Sequence, residues 1–180
     1  MYTLIVSFGG RIMRISLKPI GVVHVDLSDD EVKASWPNGV EGVVEVYGEY
    51  ADGLDGIDGF SHLIIIAYLH RVSETQREVL KVKPKRLRLM GVDMDKIPEV
   101  GVFCTDSPHR PNPLALTIAE LLERRGRLLK VKNIDLFDGT PVLDIKPYTP
   151  SRMVQEIRLP AWHQKIFEEA KTKFPQLKDF

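Results

Sequence analysis

Arg110 and Asn112 stand two positions apart in the run Ser107-Pro108-His109-Arg110-Pro111-Asn112-Pro113, each directly before a proline. A guanidinium offers a rigid fork of donors suited to carboxylates and phosphates, and an amide both donates and accepts. Proline fixes φ, removes an N–H and pushes the preceding residue out of helical backbone. The run is therefore expected to be an extended, stiff loop, neither helix nor central strand. Such a loop loses little entropy on ordering, which suits one that holds ligand-contacting groups. A rigid surface turn reads the same way. Two more polar constellations lie further along. Asp138-Gly139-Thr140-Pro141 is a sharp turn by residue type, and Asp144 and Lys146 share one face of the strand that follows it. His62, His70 and Arg71 flank the apolar run Leu63–Leu69, where hydrogen-bonded histidines at the ends of a buried strand are the plainer reading.

These groups need elements to carry them. Leu63–Leu69 is apolar on both faces and reads as a central strand. Lys18–His24, Gly42–Tyr47, Arg127–Val131 and Val142–Tyr148 read as further strands. Leu114–Arg125 is ambiguous, because Leu114, Ile118, Leu121 and Leu122 make a helical face of good helix formers. Residues 1–15 alternate poorly and read as a loose strand or extension. Asp26–Gly39 is polar, with a turn at Trp36-Pro37-Asn38-Gly39. Pro160–Phe174 is a helix candidate with Trp162, Ile166, Ala170 and Phe174 along one stripe. Arg71–Gly91 is basic and interrupted by Pro84, either a solvated loop or a phosphate-contacting one.

Composition narrows the class. The 180 residues carry 43% hydrophobic and 28% charged side chains, with 25 of each sign, so the chain has enough apolar content for a core and no global pull toward polyanions. A single cysteine, Cys104, excludes an intrachain disulfide. The histidines show no ligand spacing, and Gly53–Gly59 lacks the alternation of a calcium loop, so no metal is expected. No apolar run reaches a membrane span and no signal pattern opens the chain. A cytoplasmic protein is expected.

Phe103-Cys104-Thr105 before Arg110-Pro111-Asn112-Pro113, then Asp135-Leu136-Phe137-Asp138-Gly139-Thr140-Pro141 and Asp144-Ile145-Lys146-Pro147-Tyr148, resembles the TsaA-like family, whose enzymatic branch is TrmO. Pro19–Val22 and Gly59–Leu63 extend the likeness over about 17–150. The resemblance implies a mainly β fold: a small β-barrel with short helices and a C-terminal helix. Residues 1–16 would be an N-terminal extension, 17–150 the barrel domain and 151–180 a C-terminal helical extension. It favours strand over helix for Leu114–Leu122. It also implies S-adenosylmethionine as cofactor, a homodimer, and methylation of tRNA at N6 of the threonylcarbamoyl-modified adenosine beside the anticodon. No Gly-x-Gly-x-x-Gly opens a helix, in keeping with a plan other than the Rossmann one.

By the same resemblance, His70, Arg71, Asp106, Leu116, Asp135, Leu136, Phe137 and Asp138 are assigned to the cofactor. Arg110, Asn112, Asp144, Lys146 and Tyr148 are assigned to the reacting end, with Asp144 or Tyr148 as acceptor of the N6 proton. The proline loop and the Asp138 turn are expected to share a cavity. Two departures stand out. Asp106 occupies a place where the family usually has arginine, and Asp26–Trp36 lacks the family's Pro-Arg-Gln-Pro-like segment. A cofactor-binding module without methyl transfer, or methylation of a small molecule, are the alternatives. Lys83, Lys85, Arg86 and Arg88 are the candidate contacts for the anticodon loop.

Overall fold

The computed structural model describes residues 2–8 and 11–173. The chain forms two compact units, one of residues 1–71 with 114–151 and the other of residues 72–113 with 152–180. In chain order the first unit supplies β1 (Tyr2–Phe8), β2 (Arg11–Leu17), β3 (Gly21–His24), α1 (Asp29–Ala34), β4 (Val40–Val46) and β5 (His62–Tyr68). The second supplies α2 (Glu74–Arg77), β6 (Lys81–Val82) and β7 (Val100–Gly101). The chain returns to the first for β8 (Leu114–Arg125), β9 (Leu128–Ile134) and β10 (Pro141–Pro147), and ends in the second with α3 (Ala161–Lys173).

The first unit is a closed barrel in the order β10-β3-β4-β9-β8-β5, every neighbour antiparallel. Closure pairs both edges of the sheet and leaves no row of bare backbone groups. Val23, Val44, Leu63, Ala67, Ala119, Leu129, Val131 and Val142 have no exposed surface and fill the interior. Gly21 lets β3 approach β4 closely, since a Cβ there would lie 2.3 Å from the Glu45 carbonyl oxygen. The poorly alternating N-terminus is a regular ladder, with β1 and β2 paired from Tyr2 opposite Leu17 to Phe8 opposite Arg11.

The helical periodicity of Leu114–Leu122 gives way to pairing. Every residue from Leu114 to Glu120 sits opposite a partner on β5. Tertiary pairing overrides helix propensity here because β5, paired on its other side with β10, cannot close the barrel without β8. The result is an unusual alternation. β8 turns Thr117 and Ala119 inward and leaves Leu114, Leu116 and Ile118 outside.

On β10 the register slips between Val142 and Asp144, a bulge after which Asp144 pairs with Ile66 and Lys146 with Ile64. Asp26–Gly39 contains α1, whose Ser28 and Glu31 form a capping box. The Ser-x-x-Glu signal is present in the sequence and marks the helix start.

In the second unit α2 carries its own capping box, Ser73 with Gln76. β6 and β7 form a two-residue ladder with Lys81 opposite Gly101, and short 3-10 turns follow at Lys85–Met90 and Val102–Cys104. α3 buries Ile166 and Ala170, with Trp162 half-buried. Phe174, the last member of the expected stripe, lies outside the described residues. Lys96 Nζ meets Glu169 Oε2 at 3.4 Å and ties α3 to the segment after the Lys85–Met90 turn. Among the described residues no helix is long and apolar enough to cross a membrane.

Candidate functional site

The end of the barrel where β3 and β5 finish and β10 begins gathers one cluster. The Asp138-Gly139-Thr140 turn is built by Thr140, whose N–H and hydroxyl both donate to the Phe137 carbonyl, at 3.2 and 2.7 Å. Gly139 takes φ +75°, which glycine adopts without strain. The turn is stitched to β3, with the Gly139 N–H donating to the Val23 carbonyl and the Val23 N–H to the Thr140 carbonyl, both at 2.9 Å. Leu136 is buried and closes the barrel below it. Asp138 Oδ1 accepts from the Val25 N–H at 3.1 Å.

Arg71 bridges two segments at this rim. Its Nη1 pairs with Asp29 Oδ2 at 2.6 Å and its Nη2 donates to the Asp138 carbonyl at 3.2 Å. Its guanidinium lies 5.7 Å from the Phe137 ring centre, and Lys33 Nζ lies 5.5 Å from the same ring. Thr117 donates its hydroxyl to Asp135 Oδ1 at 3.1 Å, which aims that carboxylate from inside the wall. His70 is neighbour to Arg71 in the chain. Burial and then the charge of Arg71 hold its pKa below the ordinary histidine value, with Asp29 pulling the other way. His24 Nε2 meets Glu45 Oε2 at 2.8 Å, and Nδ1 stands 3.9 Å from Asp138 Oδ1. The hydrogen bonds from His24 and then Arg127 keep the Glu45 carboxyl below the usual range. A shallow depression of about 480 Å³ opens here between His24, Asp26, Glu41, Lys130 and Asp138.

Of the residues assigned to the cofactor, the structure thus brings His70, Arg71, Asp135, Leu136, Phe137 and Asp138 to one rim. Leu116 lies nearby on the outer wall, 66% exposed. Across β5 from it, in one cross-strand row, stands Asp144. Asp144 Oδ2 pairs with Lys146 Nζ at 2.6 Å, so the shared strand face is real and the two charges face each other. Tyr148 is at the opposite end of β10, where its N–H donates to the His62 carbonyl at 3.0 Å. At about 3.3 Å per residue, a seven-residue strand separates it from the Asp138 turn by about 20 Å.

Asp106, Arg110 and Asn112 belong to the second unit, and the Asp138 turn to the first. Asp106 and Asn112 are exposed. Arg110 is turned into its own loop. Its Nε donates to the Ser107 carbonyl at 2.8 Å and its Nη2 to those of Val102, at 3.1 Å, and Thr105. The fork that residue type suggested for a ligand is used on backbone, and it fixes the Val102–Ser107 turn.

Residues 32–152 match the model of the tRNA-methyltransferase O N-terminal domain. The chain belongs to the TrmO N-terminal domain family. A relative in Pyrococcus abyssi, named a probable S-adenosyl-L-methionine-binding protein, is 36% identical over 156 residues, covering 85% of this chain and 78% of its own. A mouse protein named tRNA (adenine(37)-N6)-methyltransferase is 43% identical over 89 residues, covering 49% of this chain and 19% of its own length. The crystal structure of TrmO from Pseudomonas aeruginosa aligns with a TM-score of 0.59 at 27% identity, over 81% of this chain and 62% of that one. The chain therefore spans less than two thirds of the TrmO structure and about a fifth of the mouse enzyme.

Sequence reasoning passed over Asp29, His24 and Thr117. The Arg71–Asp29 pair joins residues 42 apart in the chain, and no local pattern announces such a pair. Thr117 was detectable only once Leu114–Arg125 was set as a strand, because alternation then turns it inward beside Asp135.

Proposed function

We propose that this TrmO-family domain is an S-adenosylmethionine-dependent methyltransferase acting on adenine N6 of tRNA, at the threonylcarbamoyl-modified adenosine beside the anticodon. The observation that carries the reading is the Asp135–Asp138 turn, held by Thr117, Val25 and Arg71 at one barrel rim. Its donor set suits the cofactor. Arg71 offers a cation for a carboxylate, Asp135 and Asp138 offer acceptors for an amine or ribose hydroxyls, and Leu116 with Phe137 offers apolar surface for a purine. His70, kept neutral at physiological pH, adds no charge that would repel a sulfonium.

When bound, S-adenosylmethionine supplies an electrophilic methyl group. The chain's own residues hold and orient. Alignment of reacting groups is worth up to about 7–11 kcal/mol in favourable cases. Asp144, ion-paired with Lys146 at 2.6 Å, accepts the proton that the acceptor nitrogen sheds. Tyr148 follows two residues after Lys146, where its N–H donates to the His62 carbonyl. Arg110 fixes its own loop, on which Asp106 and Asn112 are exposed. The exposed row Leu114, Leu116 and Ile118 receives a second copy, making the cytoplasmic form a homodimer.

Incubation with S-adenosylmethionine and tRNA carrying the threonylcarbamoyl group, followed by mass spectrometry of the nucleosides, tests this reading. The methylated nucleoside is the expected product. Cofactor binding without product would instead favour a binding module, the reading that Asp106 supports by reversing a charge the family usually places there.

A further inference from the structure

We propose, resting on the tRNA reading above, that Phe103 is a stacking platform for an unpaired base of the tRNA. The basic strip on and after β6 then grips the adjoining phosphates. Phe103 is 80% exposed, while Val102 beside it is 1% exposed. A phenyl ring so far into water costs solvation free energy unless something covers it in use.

Its exposure does not come from a slack backbone. Arg110 clasps the carbonyls of Val102, Thr105 and Ser107. Thr105 returns its N–H and hydroxyl to the Val102 carbonyl at 3.2 and 3.0 Å. The Val102 N–H donates to the Leu80 carbonyl at 3.0 Å, and Gly101 is opposite Lys81. The ring is thus set at the Leu80–Lys81 end of the short β6–β7 ladder, and Lys83, Lys85, Arg86 and Arg88 follow from the ladder's other end, in a run from Arg77 to Arg88 whose one acid is Glu78. Lys81, Lys83, Lys85 and Arg88 are exposed.

A pre-set aromatic face beside a strip of cations is the composition that binds unpaired nucleotides, base to ring and phosphate to cation. A protein partner fits less well, since lysines are depleted in protein interfaces. Arg110 is in this scheme a positioning residue, acting through the turn it clasps.

Full-length protein titrated with a fluorescent anticodon stem-loop RNA over a series of salt concentrations tests the assignment. Phe103→Ala is expected to weaken binding by roughly ten-fold at every salt concentration, within the range seen for loss of one stacked base. The salt slope is expected to hold. Joint neutralisation of Lys83, Lys85, Arg86 and Arg88 lowers that slope instead. Phe103→Leu keeps apolar bulk for folding but not the aromatic face, and is expected to fall with Phe103→Ala. F103W retains affinity and gains fluorescence quenching on the stem-loop that a fully paired duplex does not produce.

Equal affinity of Phe103→Ala and wild type, or an F103W signal blind to the loop, overturns the assignment. So does a change of oligomeric state in Phe103→Ala with RNA affinity intact, which would put the ring in a protein interface. If wild type methylates tRNA while Phe103→Ala binds normally, only the platform falls. If wild type binds no stem-loop, the tRNA reading falls with it.

Discussion

β5 and β8 are paired neighbours in one wall, both rich in apolar residues, yet they use them in opposite ways. β5 turns Leu63, Ile65 and Ala67 into the barrel, where each is almost wholly buried. β8 turns in Thr117 and Ala119 and shows Leu114, Leu116 and Ile118 to the outside. Inside a narrow barrel, bulk on one strand must be met by small residues on its neighbour. The leucines of β8 are therefore not core material displaced by error. They make a surface, and a surface of that kind is used against something.

Substitutions on the two strands can break the contrast. Ile65→Ala is expected to have the largest effect, a loss of about 2–5 kcal/mol for a truncated core side chain, read from denaturant unfolding. A loss under about 0.5 kcal/mol would mean that β5 is not the packed side. Thr117→Val comes next. It keeps the volume but leaves the Asp135 carboxylate without its hydroxyl donor, at a cost of about 1–3 kcal/mol. Cofactor affinity, measured by calorimetry, is expected to fall in the same variant.

Leu116→Ser is expected to leave the stability of dilute protein within about 0.5 kcal/mol of wild type, while self-association seen by sedimentation is lost. A large destabilisation would make Leu116 part of the core and erase the contrast. The finest test is at the end of β5. The folded protein holds the His70 pKa below its ordinary 6.5, so the unfolded chain binds more protons in that window. Stability from this group is intact above the ordinary value and declines as pH falls through the lowered one. His70→Gln is expected to flatten the acid side of the profile and to match wild type in mildly alkaline buffer, read from urea midpoints.

The contrast also marks what the sequence could yield. The β-branched run of β5 declared itself as a central strand from residue type alone. β8 did not, because Leu114, Ile118, Leu121 and Leu122 satisfy a helical period, and only its pairing with β5 imposes a period of two. Which of its faces turns inward was illegible, since apolar residues occupy both. The stiffness of the Pro108–Pro113 loop was legible from proline chemistry. The direction of the Arg110 fork was not, because it depends on carbonyls up to eight residues away that happen to turn toward it. The Asp138 turn was readable from its own letters, and the Arg71–Asp29 pair that braces it only from the folded chain.

The bulge on β10 carries a consequence for the Asp144–Lys146 pair. Val142 and Ile145 both face the interior, which a flat two-residue alternation forbids. Strict alternation from Val142 with Leu143 kept would turn both charges into the oily bore among Val44 and Leu129; the bulge absorbs the extra residue and keeps them on the outer face, where deleting Leu143 would also leave them. The bulge is thus what lets one extra letter sit between Pro141 and Asp144 without turning the wall inside out.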